Sequence, residues 1–154
     1  MIKLLRVDHR LLHGQVAFSW TGYLGANCIL IANDACVGNE LRKATLRLAK
    51  PSGCKLVIKS VEDAVTALNS GSADKYELFI VVESVKDAYR LASAVDRIST
   101  INIGGLKATQ DTHHFHGDKN INLTTDDEGM LHELMDAGKE VEFRMVPSDA
   151  VKHL

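Results

Sequence analysis

The sequence predicts an α/β fold: a single-domain, doubly wound and mainly parallel sheet of about six or seven strands with helices on both faces. Short apolar runs alternate along the chain with segments of helical periodicity, which is typical of buried parallel strands joined by crossover helices. The 154 residues contain no break in composition and no Pro/Ser-rich linker, and 45% of them are hydrophobic. We therefore expect one domain over residues 1–154 that buries a sizeable core.

The first strand and the first helix are each indicated by three apolar residues, Ile2, Leu4 and Leu5 for the strand and Val16, Ala17 and Trp20 for the helix. In order, the predicted strands span residues 2–7, 27–32, 55–59, 77–82, 99–103, 120–123 and 140–146. The predicted helices fill the gaps, at residues 14–24, 39–49, 61–70, 85–95 and 126–138.

Three predicted helices open with sequences related to a capping box, in which a hydroxyl and a carboxylate three residues later bind each other's backbone N–H groups. These sequences are Ser60-Val-Glu-Asp63, Ser84-Val-Lys-Asp87 and Thr125-Asp-Asp-Glu128. Gly71-Ser-Ala-Asp74 and Gly104-Gly105 are interpreted as loops within the domain.

The segment Arg6-Val-Asp-His-Arg-Leu-Leu-His-Gly-Gln-Val16 lies where the first strand leads into the first helix, and its residue types suit phosphoryl transfer. A neutral imidazole is a competent nucleophile, so His13 is the candidate catalytic residue. Asp8 can hold the ring in one tautomer by accepting its other N–H, and Arg10 offers a planar fork for phosphate oxygens. Gly14 allows close backbone approach, and the N–H groups at Gly14 and Gln15 open a helix whose positive end attracts anions.

Loops after neighbouring parallel strands gather at the same sheet edge, so further residues are candidates to support this site. Asn33 and Asp34 could contact the His13 loop or position Arg10, with an Asx turn and helix cap as the alternative. Gly104 and Gly105 could admit the phosphoryl group, with a turn of positive φ as the alternative.

The remaining histidines and cysteines do not indicate a metal or cofactor. His113, His114 and His116 are too close together to ligate one ion without a strained loop, and an exposed loop is the preferred interpretation. The three cysteines, at positions 28, 36 and 54, lack Cys-x-x-Cys spacing and are expected to be buried free thiols. No nucleotide-binding glycine motif follows the first strand.

Charge and hydropathy exclude other classes. The formal net charge of −2 gives no basic footprint for nucleic acid. No apolar run approaches the roughly 20 residues of a membrane span, and the first residues do not form a signal peptide. A cytoplasmic protein is expected.

The His13 segment resembles the active-site segment of the IIB component of the mannose/fructose/sorbose family of the bacterial phosphoenolpyruvate-dependent sugar phosphotransferase system. Matches continue along almost the whole chain, at Asn33-Asp34, Glu40-Leu-Arg-Lys43, Pro51-Ser-Gly53, Asn102-Ile-Gly-Gly105 and Glu140-Val-Glu-Phe-Arg-Met-Val-Pro147. Residues 108–119, with their histidines, are the main departure from the family pattern.

The resemblance implies that His13 accepts a phosphoryl group, through Nδ1, from a phosphohistidine of a IIA domain or protein. It implies a protein-phosphohistidine–sugar phosphotransferase that passes the group to a sugar bound by membrane IIC and IID components, with transient association at the membrane and no cofactor. Mannose, fructose, sorbose and amino sugars all remain open as substrates, as does a homo-oligomer.

Two other functions stay open on the residues alone. A phosphohydrolase or phosphomutase can also use a phosphohistidine, but such enzymes have Arg-His-Gly at the nucleophile, whereas Leu12 precedes His13 here. A non-catalytic α/β domain could use the same cluster only to bind an anion.

Overall fold

The structure, a computed structural model that describes residues 1–154, has a seven-stranded sheet with helices on both faces, which confirms the predicted fold class. The nine strands are β1 Ile2–Asp8, β2 Cys28–Ala32, β3 Lys55–Lys59, β4 Leu78–Val82, β5 Thr100–Gly105, β6 His113–Phe115, β7 Asp118–Leu123, β8 Glu140–Phe143 and β9 Lys152–His153. The six helices are α1 Gly14–Leu24, α2 Asp34–Val37, α3 Glu40–Leu48, α4 Val61–Ser70, α5 Val85–Ala94 and α6 Thr125–Asp136. None of these helices is both long and apolar enough to cross a membrane.

The strand order in the main sheet is β3-β2-β4-β1-β5-β8-β9. Every pair in it is parallel except β8 with β9 at one edge. β1 therefore lies near the middle, between β4 and β5. Because β2 and β4 are buried at every residue, they need the covering of helices on both faces that parallel sheets generally have.

Two apolar clusters fill the spaces between the sheet and its helices. The larger contains 27 buried residues and includes the inner faces of α4, α5 and α6. The smaller contains 12 buried residues and includes residues of α1, α2 and α3. Trp20, which is fully buried, is the largest side chain of the smaller cluster. Helix α1 is thus fixed on the face of the sheet opposite α4 to α6.

The main departures from the predicted elements follow residue 105. The segment predicted as strand 120–123 belongs to β7, which pairs with β6 in a separate two-stranded sheet. The histidine-rich segment, predicted as a loop, supplies β6. The last predicted strand, 140–146, ends at Phe143, and the chain returns as the antiparallel strand β9.

Two local boundaries also differ from the prediction. Helix α6 is capped by Thr124 and not by Thr125, because Thr124 and Asp127 bind each other's backbone N–H groups. Gly104 and Gly105 are not a loop but the end of β5, where Gly105 pairs with Asp8 and its carbonyl accepts the N–H of His9 at 3.0 Å. Neither glycine has a positive φ.

Candidate active site

The turn from β1 to α1 is held in a fixed shape by burial and backbone conformation. Leu11 and Leu12 are buried in the smaller core cluster. Leu11 has φ of 59° and Gly14 has φ of 39°, a left-handed region that costs most residues about 1 kcal/mol or more. The two buried leucines anchor the turn, and glycine at position 14 avoids part of that strain.

Asp8 is the centre of the hydrogen bonds at this turn. Its Oδ1 accepts from the backbone N–H of Arg10 at 3.0 Å and from Arg10 Nε at 3.2 Å. Its Oδ2 accepts from Arg6 Nη2 at 3.1 Å and from Arg10 Nη2 at 3.4 Å, and it lies 3.1 Å from His13 Nε2. The side chain is 0% exposed. A single buried carboxylate therefore connects the three residues around it.

Burial raises the pKa of the Asp8 carboxyl, but other contributions outweigh it and the net pKa is lowered. The opposing causes are the hydrogen bonds from the Arg10 backbone and from His13, the charge of Arg6 and the Arg10 side-chain bond. Asp8 is therefore ionised at neutral pH and acts only as an acceptor.

The position of Asp8 determines which nitrogen of His13 is free. Since an ionised carboxylate cannot donate, Nε2 must carry the proton that joins it to Asp8 Oδ2. In a neutral ring this leaves the lone pair on Nδ1. The side chain is 26% exposed, so the ring is held by the protein at one nitrogen and remains accessible to another molecule.

His13 is also the N-cap residue of α1, and its side chain makes no capping hydrogen bond. The other five helices are each capped by a side chain, from Asn33, Asn39, Ser60, Ser84 and Thr124. The first N–H groups of a helix lack intrahelical acceptors, and α1 has no acidic residue in its first turn. Gly14 and Gln15, both exposed at this end, therefore lie where an anion would be stabilised.

Asp8, Arg10, His13 and Arg6 form a hydrogen-bonded cluster, and Arg6 is the member that was not predicted from the sequence. It lies two residues before Asp8 on the same face of β1, and only 1% of its side chain is exposed. A charged residue within a buried stretch of strand is almost never buried without a partner, and Asp8 at the i+2 position was the available signal.

The other candidate residues divide into those near the cluster and those away from it. Gly105 lies beside it: a Cβ there would be 3.5 Å from both Asp8 Oδ1 and Arg10 Nη2. Asn33 and Asp34 do not contact the cluster, because β4 separates their strand from β1. Asn33 caps α2 through Cys36, and Asp34 accepts from the Val61 N–H and from Arg90.

A basic depression of about 300 Å³ opens beside Arg10. Among the residues that line it, His9, Arg10, Lys107 and Lys119 are basic and none is acidic. Arg10 is paired with Asp8, whereas the other three have no ion-pair partner. Basic side chains therefore gather next to Arg10, although the chain as a whole has a net charge of −2.

The histidines of β6 and its turn have separate contacts. His113 pairs with Glu128, and His114 Nδ1 lies 2.8 Å from the Asn122 side-chain oxygen. His116 packs against the ring of Phe115. They therefore have structural partners within the hairpin and α6.

The comparisons with known proteins all point to the same family. Residues 2–154 match the family model described as the PTS system sorbose subfamily IIB component. The chain is 42% identical over 106 residues to a probable phosphotransferase enzyme IIB component of Streptococcus pyogenes, which covers 69% of this chain and 65% of that protein. It is 26% identical over 149 residues to the mannose-specific EIIAB component of Escherichia coli, which covers 97% of this chain and 46% of that protein.

Solved structures of IIB components have the same fold as this chain. The crystal structure of the IIBSor domain of the sorbose permease from Klebsiella pneumoniae matches with a TM-score of 0.92 and 30% sequence identity. The match covers 99% of this chain and 93% of that one.

Proposed function

Because the chain belongs to the sorbose subfamily of IIB components of the phosphotransferase system, we propose that it is a phosphocarrier that acts through His13. In this proposal His13 accepts a phosphoryl group from the phosphohistidine of a IIA domain. It then passes the group to a sugar held by membrane IIC and IID components, during sugar uptake at the cytoplasmic face.

One observation carries the proposal: Asp8 holds Nε2 of an accessible His13, so that Nδ1 is the free nucleophile. Nδ1 attacks phosphorus, the P–N bond of the donor breaks, and the donor nitrogen keeps the bonding electron pair. The imidazole of His13 gains positive charge as the new bond forms. That charge develops next to the buried Asp8 carboxylate, which stabilises it without any rearrangement.

Arg10 and the start of α1 stabilise the oxygens of the phosphoryl group. Two of the Arg10 nitrogens, Nε and Nη2, are engaged by Asp8, which fixes the plane of the guanidinium and leaves Nη1 for a phosphoryl oxygen. The N–H groups at Gly14 and Gln15, at the start of α1, supply further donors. Charge spread over three oxygens is stabilised by such fixed donors, and no metal is needed for that role.

The second step is the reverse chemistry with a different acceptor. A sugar hydroxyl oxygen attacks phosphorus and loses its proton to water, the P–Nδ1 bond breaks, and Nδ1 recovers its electron pair. The Nε2 proton stays on His13, hydrogen-bonded to Asp8. The name of the E. coli relative, an EIIAB component, supports a IIA domain as the donor. Sorbose is the sugar that the family name favours.

The experiment is phosphorylation by phosphoenolpyruvate, enzyme I, the histidine phosphocarrier protein and a mannose-family IIA, followed by intact mass measurement. We expect one acid-labile, base-stable phosphoryl group on His13. His13→Gln should accept none, because the nucleophile is lost.

His9→Gln is the matched control, since His9 lies in the same segment but its side chain makes no hydrogen bond or ion pair with Asp8. It should be phosphorylated like the wild type. Label on His13→Gln would contradict the assignment. Rapid release of inorganic phosphate from the wild type would instead support a phosphohydrolase.

A further inference from the structure

We propose that Arg6 is a positioning residue of this reaction: it holds the Asp8 carboxylate so that Nε2 of His13 stays protonated and Nδ1 stays free. The proposal rests on the function proposed above. Arg6 makes no hydrogen bond to His13, so it acts on His13 through the residues that it holds, chiefly Asp8.

The first support is the oxygen that the two residues share. Arg6 Nη2 donates to Asp8 Oδ2 at 3.1 Å, the same oxygen that accepts from His13 Nε2 at 3.1 Å. The hydrogen bonds from Arg10 act mainly on the other oxygen, at 3.0 and 3.2 Å, while its bond to Oδ2 is long at 3.4 Å. Without Arg6, the oxygen that faces His13 would lose its main fixed donor.

The second support is the way in which the protein immobilises the guanidinium. Nη1 of Arg6 donates to Asn102 Oδ1 at 2.7 Å and to the Arg144 carbonyl at 3.3 Å. Asn102 in turn donates from Nδ2 to the same carbonyl at 3.3 Å. Asn102 is 0% exposed and faces Arg6 across the β1–β5 pair. The fork is therefore fixed from β5 and from the segment after β8.

The third support is the space kept for Arg6 by a glycine. A Cβ on Gly104 would lie 2.1 Å from Arg6 Cζ and Nη2, which is less than any tolerated contact. Gly104 has no positive φ, so the backbone itself does not require glycine there. Glycine is needed at position 104 because the Arg6 guanidinium occupies the space that a side chain would fill.

Arg6 also connects the site to α1. Its Cζ lies 5.4 Å from the centroid of the Trp20 ring, within the range of a cation–π contact. Trp20 is fixed in turn by the hydrogen bond from its Nε1 to the Met145 carbonyl at 2.9 Å. The helix that begins at His13 therefore rests on the same cation that holds Asp8, and movement of Arg6 would disturb both.

Gly104→Ala tests the proposal, because it displaces Arg6 without removing any charge or hydrogen-bonding group. Gly129→Ala is the matched control: a Cβ there meets nothing within 4 Å and the φ is not positive. Two quantities are measured in each protein: the ¹⁵N spectrum of the His13 ring, and single-turnover phosphorylation by phosphorylated IIA.

In the wild type and in Gly129→Ala we expect a ring protonated at Nε2. In Gly104→Ala we expect a mixture of the two tautomers. The maximal transfer rate of Gly104→Ala should fall by about tenfold to a hundredfold, as expected for a displaced reacting atom. The donor concentration at half-maximal rate should change by less than about twofold, because the exposed surface is unchanged.

Arg6→Lys is the second variant, for the case in which Gly104→Ala does not fold. Lysine keeps the charge but cannot hold Asp8, Asn102 and the Arg144 carbonyl with one planar fork. We expect the same loss of the Nε2 tautomer and a slower maximal rate. An unchanged tautomer with unchanged transfer in a folded variant overturns the proposal. So does a weaker apparent affinity for the donor with an unchanged maximal rate.

These results are separate from the test of function. If His13 is not phosphorylated in the wild type, the proposed function fails while the tautomer measurement still reports on Arg6. If the wild type is phosphorylated and both variants match it in tautomer and rate, only the positioning role fails.

Discussion

The Asp8 carboxylate accepts hydrogen bonds from Arg6, Arg10 and His13 while none of it is exposed. A buried acid in this position has two effects on the same molecule. It orients the ring of His13, the proposed nucleophile, and it neutralises an arginine that would otherwise be an uncompensated buried charge. Function and stability are therefore coupled at one residue.

Asp8→Asn should lower the stability of the protein at neutral pH by about 3 kcal/mol, because it leaves Arg6 buried without a counter-charge. The folded-state pKa of Asp8 is lowered, so its contribution to stability is present above the unfolded pKa of about 3.9 and is lost as pH falls through the folded value. Urea unfolding of both proteins between neutral and acidic pH checks this: the difference should shrink with acid.

Asp111→Asn is the control for that measurement, since Asp111 is exposed and makes no ion pair. Its unfolding curve should follow the wild type at each pH. A stability difference between Asp8→Asn and the wild type that stays constant down to the most acidic pH would contradict the role given to the carboxylate charge.

Most residues of the candidate site could be identified from the sequence, but only some of their contacts could be predicted. The grouping of Asp8, Arg10 and His13 could be predicted, because they lie within six residues at one strand–helix junction. The partners of Arg6 could not, since Asn102 and the Arg144 carbonyl lie 96 and 138 residues away in the chain. Asn33 and Asp34 were plausible by motif, but strand order places them elsewhere.

The start of α1 differs from the other helix starts because its first residue, Gly14, has positive φ. Gly14→Ala should destabilise the protein by about 1 kcal/mol, since a Cβ there meets no neighbour and only the backbone conformation opposes it. Phosphoryl transfer should slow as well, because the first N–H groups of α1 would move with the backbone. Urea unfolding and a single-turnover transfer assay measure the two effects.

Gly22→Ala, in the last turn of the same helix, should have the opposite effect on stability. Its φ is not positive and its Cβ would also meet nothing within 4 Å, so the higher helix propensity of alanine should stabilise the protein by up to about 1 kcal/mol. Equal shifts of the same sign for both variants would contradict the conformational argument.

Elements with a strong local signal were predicted closely. Ser60 and Ser84 cap α4 and α5 as expected, through the N–H groups of Asp63 and Asp87. The β6–β7 hairpin was not predicted, because its pairing is stabilised by contacts that periodicity does not register. Phe115 stacks on Phe143 of β8 with ring centroids 3.8 Å apart, and the Leu106 N–H donates to the Asn120 carbonyl at 2.9 Å.

In the whole molecule, the site lies where the sheet order changes direction. β1 is flanked by β4 and β5; the chain leaves β1 toward β2 on one side, whereas it leaves β5 toward β8 on the other. Ligands of doubly wound folds bind at the carboxyl ends of strands beside such a switch, and this could be predicted from the first strand and the alternation alone. The basic surface next to it could not, because Lys107 and Lys119 come from segments whose pairing was not predicted.

That surface should attract a phosphorylated donor, since the approaching group is anionic and the cations of the basic depression are mostly unpaired. Lys107→Glu should raise the donor concentration needed for half-maximal transfer several-fold at low salt, with the maximal rate unchanged. The effect should diminish as salt is added. Transfer kinetics at two salt concentrations provide the measurement.

Lys55→Glu makes the same charge change at the amino-terminal end of the edge strand β3, away from the carboxyl ends of the strands where His13 lies. It should leave the transfer kinetics almost unaltered. If both variants weaken transfer equally, net charge and not the local depression is responsible.

The uncapped start of α1 also has a consequence for the energetics of a carrier. A phosphoryl group on His13 would place negative charge at a helix end that lacks a side-chain cap, a contact worth about 1 kcal/mol. By thermodynamic linkage, whatever stability the loaded protein gains there is subtracted from the group-transfer potential of its phosphohistidine. The missing cap would therefore favour phosphorylation of His13 over transfer of the phosphoryl group from it. The free energy lost in the transfer step must be supplied by the affinity of the acceptor for the phosphoryl group.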